Sequence, residues 1–64
     1  MNITLNGEVR QTEATTLEEV LIEVGLTSKV ATALNGTFVP AAQRAATSIR
    51  SGDQIEALSA MQGG

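Results

Sequence analysis

The chain closes on Gly63-Gly64, preceded by Ser59-Ala60-Met61-Gln62, and this segment holds its most distinctive chemistry. Extended, six residues span roughly 20 Å, enough to reach from a folded body into another protein's active site. Glycine has no Cβ, so it passes a narrow channel, takes φ/ψ values closed to other residues and leaves the terminal carbonyl open to attack. The reacting group is then the α-carboxylate of Gly64. It is ionised at neutral pH, with a reference pKa of about 3.5, and is a poor electrophile. Another enzyme must activate it before anything is attached. The plain alternative is a frayed or engineered terminus with no chemistry.

Other side chains offer less. Glu18, Glu19 and Glu23 could act as paired carboxylates in acid–base chemistry, but their spacing reads as the solvated face of a helix. Asp53 and Glu56, beside a turn, could hold a cation; a loop carboxylate accepting from backbone amides around Gly52 is the simpler reading. The sequence has no cysteine and no histidine. That removes disulfides, thiolate and imidazole metal sites, and Cys-His or Ser-His nucleophiles. Neither Asn6-Gly7 nor Asn35-Gly36 has the spacing of a phosphate-binding loop. No catalytic residue and no metal ligand is assigned.

The frame that must present this terminus is small. Sixty-four residues make one domain, expected over residues 1–58, with 59–64 as a flexible tail. With 42% apolar and 17% charged residues and a mean hydropathy of +0.08, the chain should fold and stay soluble. Seven acidic residues stand against Lys29, Arg10, Arg44 and Arg50, a net charge of −3 with no basic stripe, which argues against nucleic-acid binding. No apolar run approaches the ~18 to 20 residues of a membrane span, and no signal-peptide pattern opens the chain, so a cytoplasmic location is expected.

Met1 to Leu5 alternates apolar and polar residues as a half-buried strand does. Asn6-Gly7 suits a type I′ turn into a second strand near Glu8 to Thr12. A two-residue loop pairs Leu5 with Glu8; a three-residue loop with a bulge at Gly7 pairs Leu5 with Val9 and gives a cleaner apolar face. Thr16-Leu17-Glu18-Glu19 matches a capping box, in which the Glu19 carboxylate reaches back to the Thr16 amide. Leu17, Val20, Leu21 and Val24 then form one apolar stripe, and Gly25 stops the helix. Val30 to Leu34, a second Asn-Gly turn and Thr37 to Val39 follow, the last ended or placed at an edge by Pro40. Residues 41–46 read as an irregular or one-turn helical crossing. Ser51-Gly52-Asp53 is a turn and Gln54 to Leu58 a final strand with Ile55 and Ala57 on one face.

The order β-β-α-β-β-β indicates an α+β fold, a mixed sheet with one helix packed across one face. It resembles the β-grasp, or ubiquitin-like, architecture, which implies a last strand parallel to the first at the sheet centre. The residues also resemble the small ThiS-type sulfur carrier proteins of thiamine biosynthesis. The likeness runs through Leu5-Asn6-Gly7-Glu8, the helix Leu17 to Val24, Ala33-Leu34-Asn35-Gly36 with Phe38-Val39-Pro40, Gly52-Asp53-Gln54-Ile55-Glu56, and Gly63-Gly64. The Ala-rich stretch 41–46 departs from many members. The resemblance implies a protein co-substrate rather than an enzyme. The Gly64 carboxylate is adenylated by an E1-like enzyme and becomes a thiocarboxylate, with sulfur delivered by a sulfur-donor system. Thiazole synthase then receives the sulfur. ATP and magnesium belong to the activating enzyme, and no cofactor is bound by this chain. A carrier without cysteine cannot exchange internally with its cargo.

If Ile55 and Ala57 face the helix, Glu56 and Leu58 face outward, which makes Leu58 a candidate partner contact beside the tail. Phe38, the sole aromatic, is expected in the core, the alternative being the centre of that exposed patch. Arg50 and Met61 are further candidate contacts. Two other readings remain: a molybdopterin synthase small subunit, which uses the same terminal chemistry, and a noncovalent β-grasp adaptor.

Overall fold

A computed structural model describes residues 1–26 and 29–59 of the chain. The elements run β1 (Asn2–Leu5), β2 (Glu8–Gln11), α1 (Leu17–Val24), β3 (Val30–Leu34), β4 (Thr37–Val39), a 3₁₀ helix (Ala41–Ala46) and β5 (Gln54–Ser59). They form one five-stranded sheet in the order β2-β1-β5-β3-β4. β5 runs parallel to β1 and antiparallel to β3, so the final strand lies at the centre as the β-grasp requires. It extends through Ser59, one residue beyond the expected strand.

Both hairpins use two-residue turns. Asn6 and Asn35 sit at φ 51°, Gly7 and Gly36 at φ 85°, the pair of positive values that type I′ demands and that matches strand twist. Leu5 therefore pairs with Glu8, and Thr4 with Val9. The bulged register does not occur. Its apolar gain is forgone, and Val9 stands 73% exposed on the face away from the helix.

Thr16 caps α1 with its hydroxyl accepting from the Glu19 N–H at 3.2 Å. The returning carboxylate closes on Thr15, one residue earlier than a capping box has it. There Glu19 Oε1 accepts from both the N–H (2.7 Å) and the hydroxyl (3.1 Å). The backbone and hydroxyl donors of Thr15 hold the Glu19 carboxyl below its ordinary pKa, because they bind only its charged form well. At the other end Gly25, at φ 78°, lets its own N–H reach Ile22 O and the Leu26 N–H reach Leu21 O at 2.9 Å, which closes the last turn.

Leu17, Val20 and Leu21 of α1 meet Ile3, Leu5, Ile55, Ala57 and Val39 of the sheet, joined by Ala14 and Ile49, in one core. The 3₁₀ helix closes the side of this layer and holds a feature hidden in the sequence. Arg44 is buried, with Nε donating to Thr32 Oγ1 (3.0 Å) and Nη2 donating to Val30 O (2.6 Å). The Thr32 hydroxyl in turn donates to Val39 O at 2.8 Å. One guanidinium thus ties the crossing to β3 and β4. Arg44→Ala strips the partner from a part-buried carbonyl and a buried hydroxyl oxygen, and is expected to destabilise the fold by about 1–3 kcal/mol. Urea unfolding measures this, and an unchanged midpoint would deny the tie any stabilising role.

Candidate functional site

Strand β5 is the last described element and residues 60–64 follow it in sequence, so what fixes β5 also fixes where the described chain ends. Two asparagines do this from opposite sides. Asn6 acts like one more residue of β1: its Oδ1 accepts from the Ala57 N–H at 2.9 Å and its Nδ2 donates to Ala57 O at 3.1 Å. Asn35 holds the start of the strand, its Oδ1 accepting from the Gln54 N–H at 2.9 Å. Its Nδ2 donates to Asp53 Oδ1 at 3.1 Å, while Asp53 Oδ2 accepts from the Arg50 N–H at 2.7 Å. Asp53 is therefore a loop carboxylate that organises a turn. The sequence shows both Asn-Gly pairs as turns, but their side chains' bonds to a strand 19 to 51 residues away leave no local signal.

The alternation along β5 is the expected one. Ile55 and Ala57 are buried under the helix, whereas Glu56 and Leu58 face the open side of the sheet. Phe38 requires a correction. It is not in the core but 64% exposed, as is Leu58. The two-residue turn decides this, since it pairs Leu34 with Thr37, Ala33 with Phe38 and Thr32 with Val39. Thr32 and Val39 take the buried side, and Phe38 turns outward.

Cross-strand register builds a surface from these positions. Ala33 lies between Phe38 of β4 and Glu56 of β5, and Ala31 lies opposite Leu58. Phe38 and Leu58 rise as two apolar side chains from a floor of alanines, on the face not covered by the helix. Alternation in Val30-Ala31-Thr32-Ala33-Leu34 was the available signal for that floor. Arg50 lies at the turn before β5, away from Leu58 at the strand's far end, and does not join this surface. Met61, Gly63 and Gly64 lie outside the described residues.

The remaining carboxylates do not converge. Glu18 and Glu23 are exposed on α1, Glu19 caps it, and Glu23 accepts from Thr12 Oγ1 at 2.6 Å. Among the described residues no group of three acidic side chains is placed to hold a metal ion. One surface cleft is lined by Arg10, Gln11, Thr12, Glu13 and Glu23, another by Glu18, Leu21, Ile22 and Arg44. Neither includes Phe38, Glu56 or Leu58. Among the described residues no helix is long and apolar enough to cross a membrane. Among the described residues the open face carries no catalytic constellation; what it presents is a small exposed apolar patch of Phe38 and Leu58.

Comparison with known proteins agrees in sequence and in fold. Over 61 residues the chain is 43% identical to the sulfur carrier protein ThiS of Thermus thermophilus, covering 94% of this chain and 95% of that protein. The crystal structure of the thiamine biosynthesis protein ThiS from Geobacter metallireducens superposes with a TM-score of 0.85 at 29% identity, over the full length of both chains. The solution structure of the Geobacter protein gives 0.77, covering all of this chain and 88% of that one. The ThiS family model matches residues 3–64, from β1 to the last glycine. With its β-grasp sheet, its exposed Phe38 and Leu58 and its closing Gly-Gly all inside that match, the chain belongs to the ThiS family.

Proposed function

We propose that this protein is a sulfur carrier of thiamine biosynthesis whose working group is the Gly64 carboxylate. The observation that carries this reading is the reach of the family match to Gly64, which takes in the two glycines that neither core nor helix needs. A carboxylate does not accept a sulfur nucleophile at neutral pH. An E1-like enzyme first transfers AMP from ATP to a Gly64 oxygen, releasing pyrophosphate. The mixed anhydride so formed has a good leaving group. Sulfur from the donor system adds at the carbonyl carbon, AMP departs with the oxygen it holds, and a thiocarboxylate remains for thiazole synthase. This chain supplies the electrophile and the surface that brings it to each enzyme; ATP and magnesium act on the activating enzyme.

Phe38 and Leu58 suit the docking part of this role. Both stand on the open face, and Leu58 is one residue from the end of β5. The decisive experiment incubates the full chain with the adenylating enzyme of the same organism, ATP and a sulfur source, and weighs the intact protein. The expected product is heavier by the exchange of one oxygen for one sulfur, with the change located on Gly64 by fragmentation. An unmodified Gly64, together with partner binding that survives without Gly63 and Gly64, would make the protein a noncovalent adaptor instead.

A further inference from the structure

Among the described residues Glu56 is the one charged side chain in the strand rows that hold Phe38, Ala33, Ala31 and Leu58. It is exposed, sits opposite Ala33 in the row that ends at Phe38, and precedes Leu58 by two residues on the same side of β5. No cation occupies the row formed by Phe38, Ala33 and Glu56. Arg10 lines the cleft beside β2, Arg44 is buried against β3, Arg50 precedes the β5 turn, and Lys29 is four residues before Ala33. The neighbouring alanines bring no side-chain donor. A surface seated on Phe38, the two alanines and Leu58 borders Glu56, and one that extends along β5 from Leu58 over Glu56 takes water from its carboxylate. A carboxylate desolvated without a partner is strongly unfavourable, so the covering surface must supply one.

We propose that the partner of this face is an apolar surface with a single Lys or Arg at its centre, and that Glu56 is the residue that reads it. The proposal rests on the reading that the open face docks on the adenylating enzyme, and it names the chemistry of that enzyme's complementary surface. Phe38 and Leu58 provide apolar contact that many surfaces could satisfy. Glu56 makes the fit selective, because an apolar surface lacking a cation would leave its charge buried and unpaired. The chain's net charge of −3 favours encounter with such a partner.

The test follows ATP–pyrophosphate exchange by the adenylating enzyme as the carrier concentration is varied, with wild type, Glu56→Gln, Glu56→Lys and Glu8→Lys. Glu8 makes the same charge change on the edge strand, opposite Leu5 and on the helix side of the sheet. Glu56→Gln is expected to raise the half-saturating carrier concentration about tenfold and Glu56→Lys about a hundredfold, both with the saturated rate within about twofold of wild type. Glu8→Lys should shift it less than about twofold. Equal shifts for Glu56→Lys and Glu8→Lys would reduce the effect to overall charge, and a Glu56→Gln protein indistinguishable from wild type would mean that no cation faces position 56. Either result overturns the proposal while leaving the sulfur-carrier reading intact. If the wild type supports no exchange, that reading fails instead, and calorimetric titration of the enzyme with the same four proteins still measures the pairing.

Discussion

Removal of Gly63 and Gly64 is expected to abolish activation of the C-terminus while leaving the fold unchanged. The shortened chain ends at Gln62, its carboxylate drawn back by two residues, roughly 7 Å of extended chain. Adenylation needs the attacking oxygen within about 3 to 3.5 Å of the phosphorus in line with its leaving group, and a misplacement of about 1 Å can already lower a rate a hundredfold. The exchange of oxygen for sulfur should therefore fall below detection by intact mass. Thermal unfolding should keep its midpoint, because the last buried side chain among the described residues is Ala57. Gly64→Ala separates reach from fit: the carboxylate stays at its place in the chain and gains a Cβ, and the rate should fall about tenfold to a hundredfold. Thiocarboxylation of the shortened chain on Gln62 at a rate near that of wild type would show that the glycines are not the working terminus.

How much of this was legible in the sequence depends on how local each determinant is. The two Asn-Gly turns, the helix from its Thr16 cap to Gly25 and the alternation of β5 are short-range patterns, and all appear where the residues place them. Sheet order was reached only through the likeness to a known architecture, since nothing in the residues of β1 and β5 records that they pair in parallel. Three further details were not read from the sequence, each for its own reason. The Glu19 carboxylate closes chiefly on the N–H and hydroxyl of Thr15, with the Thr16 amide a lesser contributor. The alanine-rich crossing gives no local sign that Arg44 is buried, because its burial depends on carbonyl and hydroxyl partners 12 to 14 residues away. Phe38 was expected in the core on size alone, yet a turn residue count placed it outside: with Leu34 opposite Thr37, the inward position of β4 falls to Val39. Aromatic bulk is a tendency, whereas register is a constraint, and the constraint won.

The same constraint divides β5 into buried residues that hold the protein together and exposed residues proposed to meet a partner, and substitutions at neighbouring positions should separate the two. Ile55 is buried at the sheet centre, paired with Leu5 on one side and Leu34 on the other, beneath the helix. Ile55→Ala is expected to destabilise by about 2–5 kcal/mol through lost transfer energy and the cavity left behind. The entire stability of a domain this size is roughly 3–10 kcal/mol, so the variant should lose more than about 10 °C of melting temperature, and part of the population unfolds at 37 °C. Three residues on, Leu58→Ala removes an exposed side chain and should change unfolding by less than about 0.5 kcal/mol. Its effect should appear instead as a higher half-saturating concentration with the activating enzyme. Urea titration beside carrier-dependent pyrophosphate exchange reads both quantities for each variant. A stable Ile55→Ala protein, or a Leu58→Ala protein that unfolds early, would mean that the two faces of β5 had been assigned the wrong way round. Asn6 holds Ala57 between these two kinds of residue through both its N–H and its carbonyl, so the buried Ile55 and Ala57 and the exposed Glu56 and Leu58 are kept in one register.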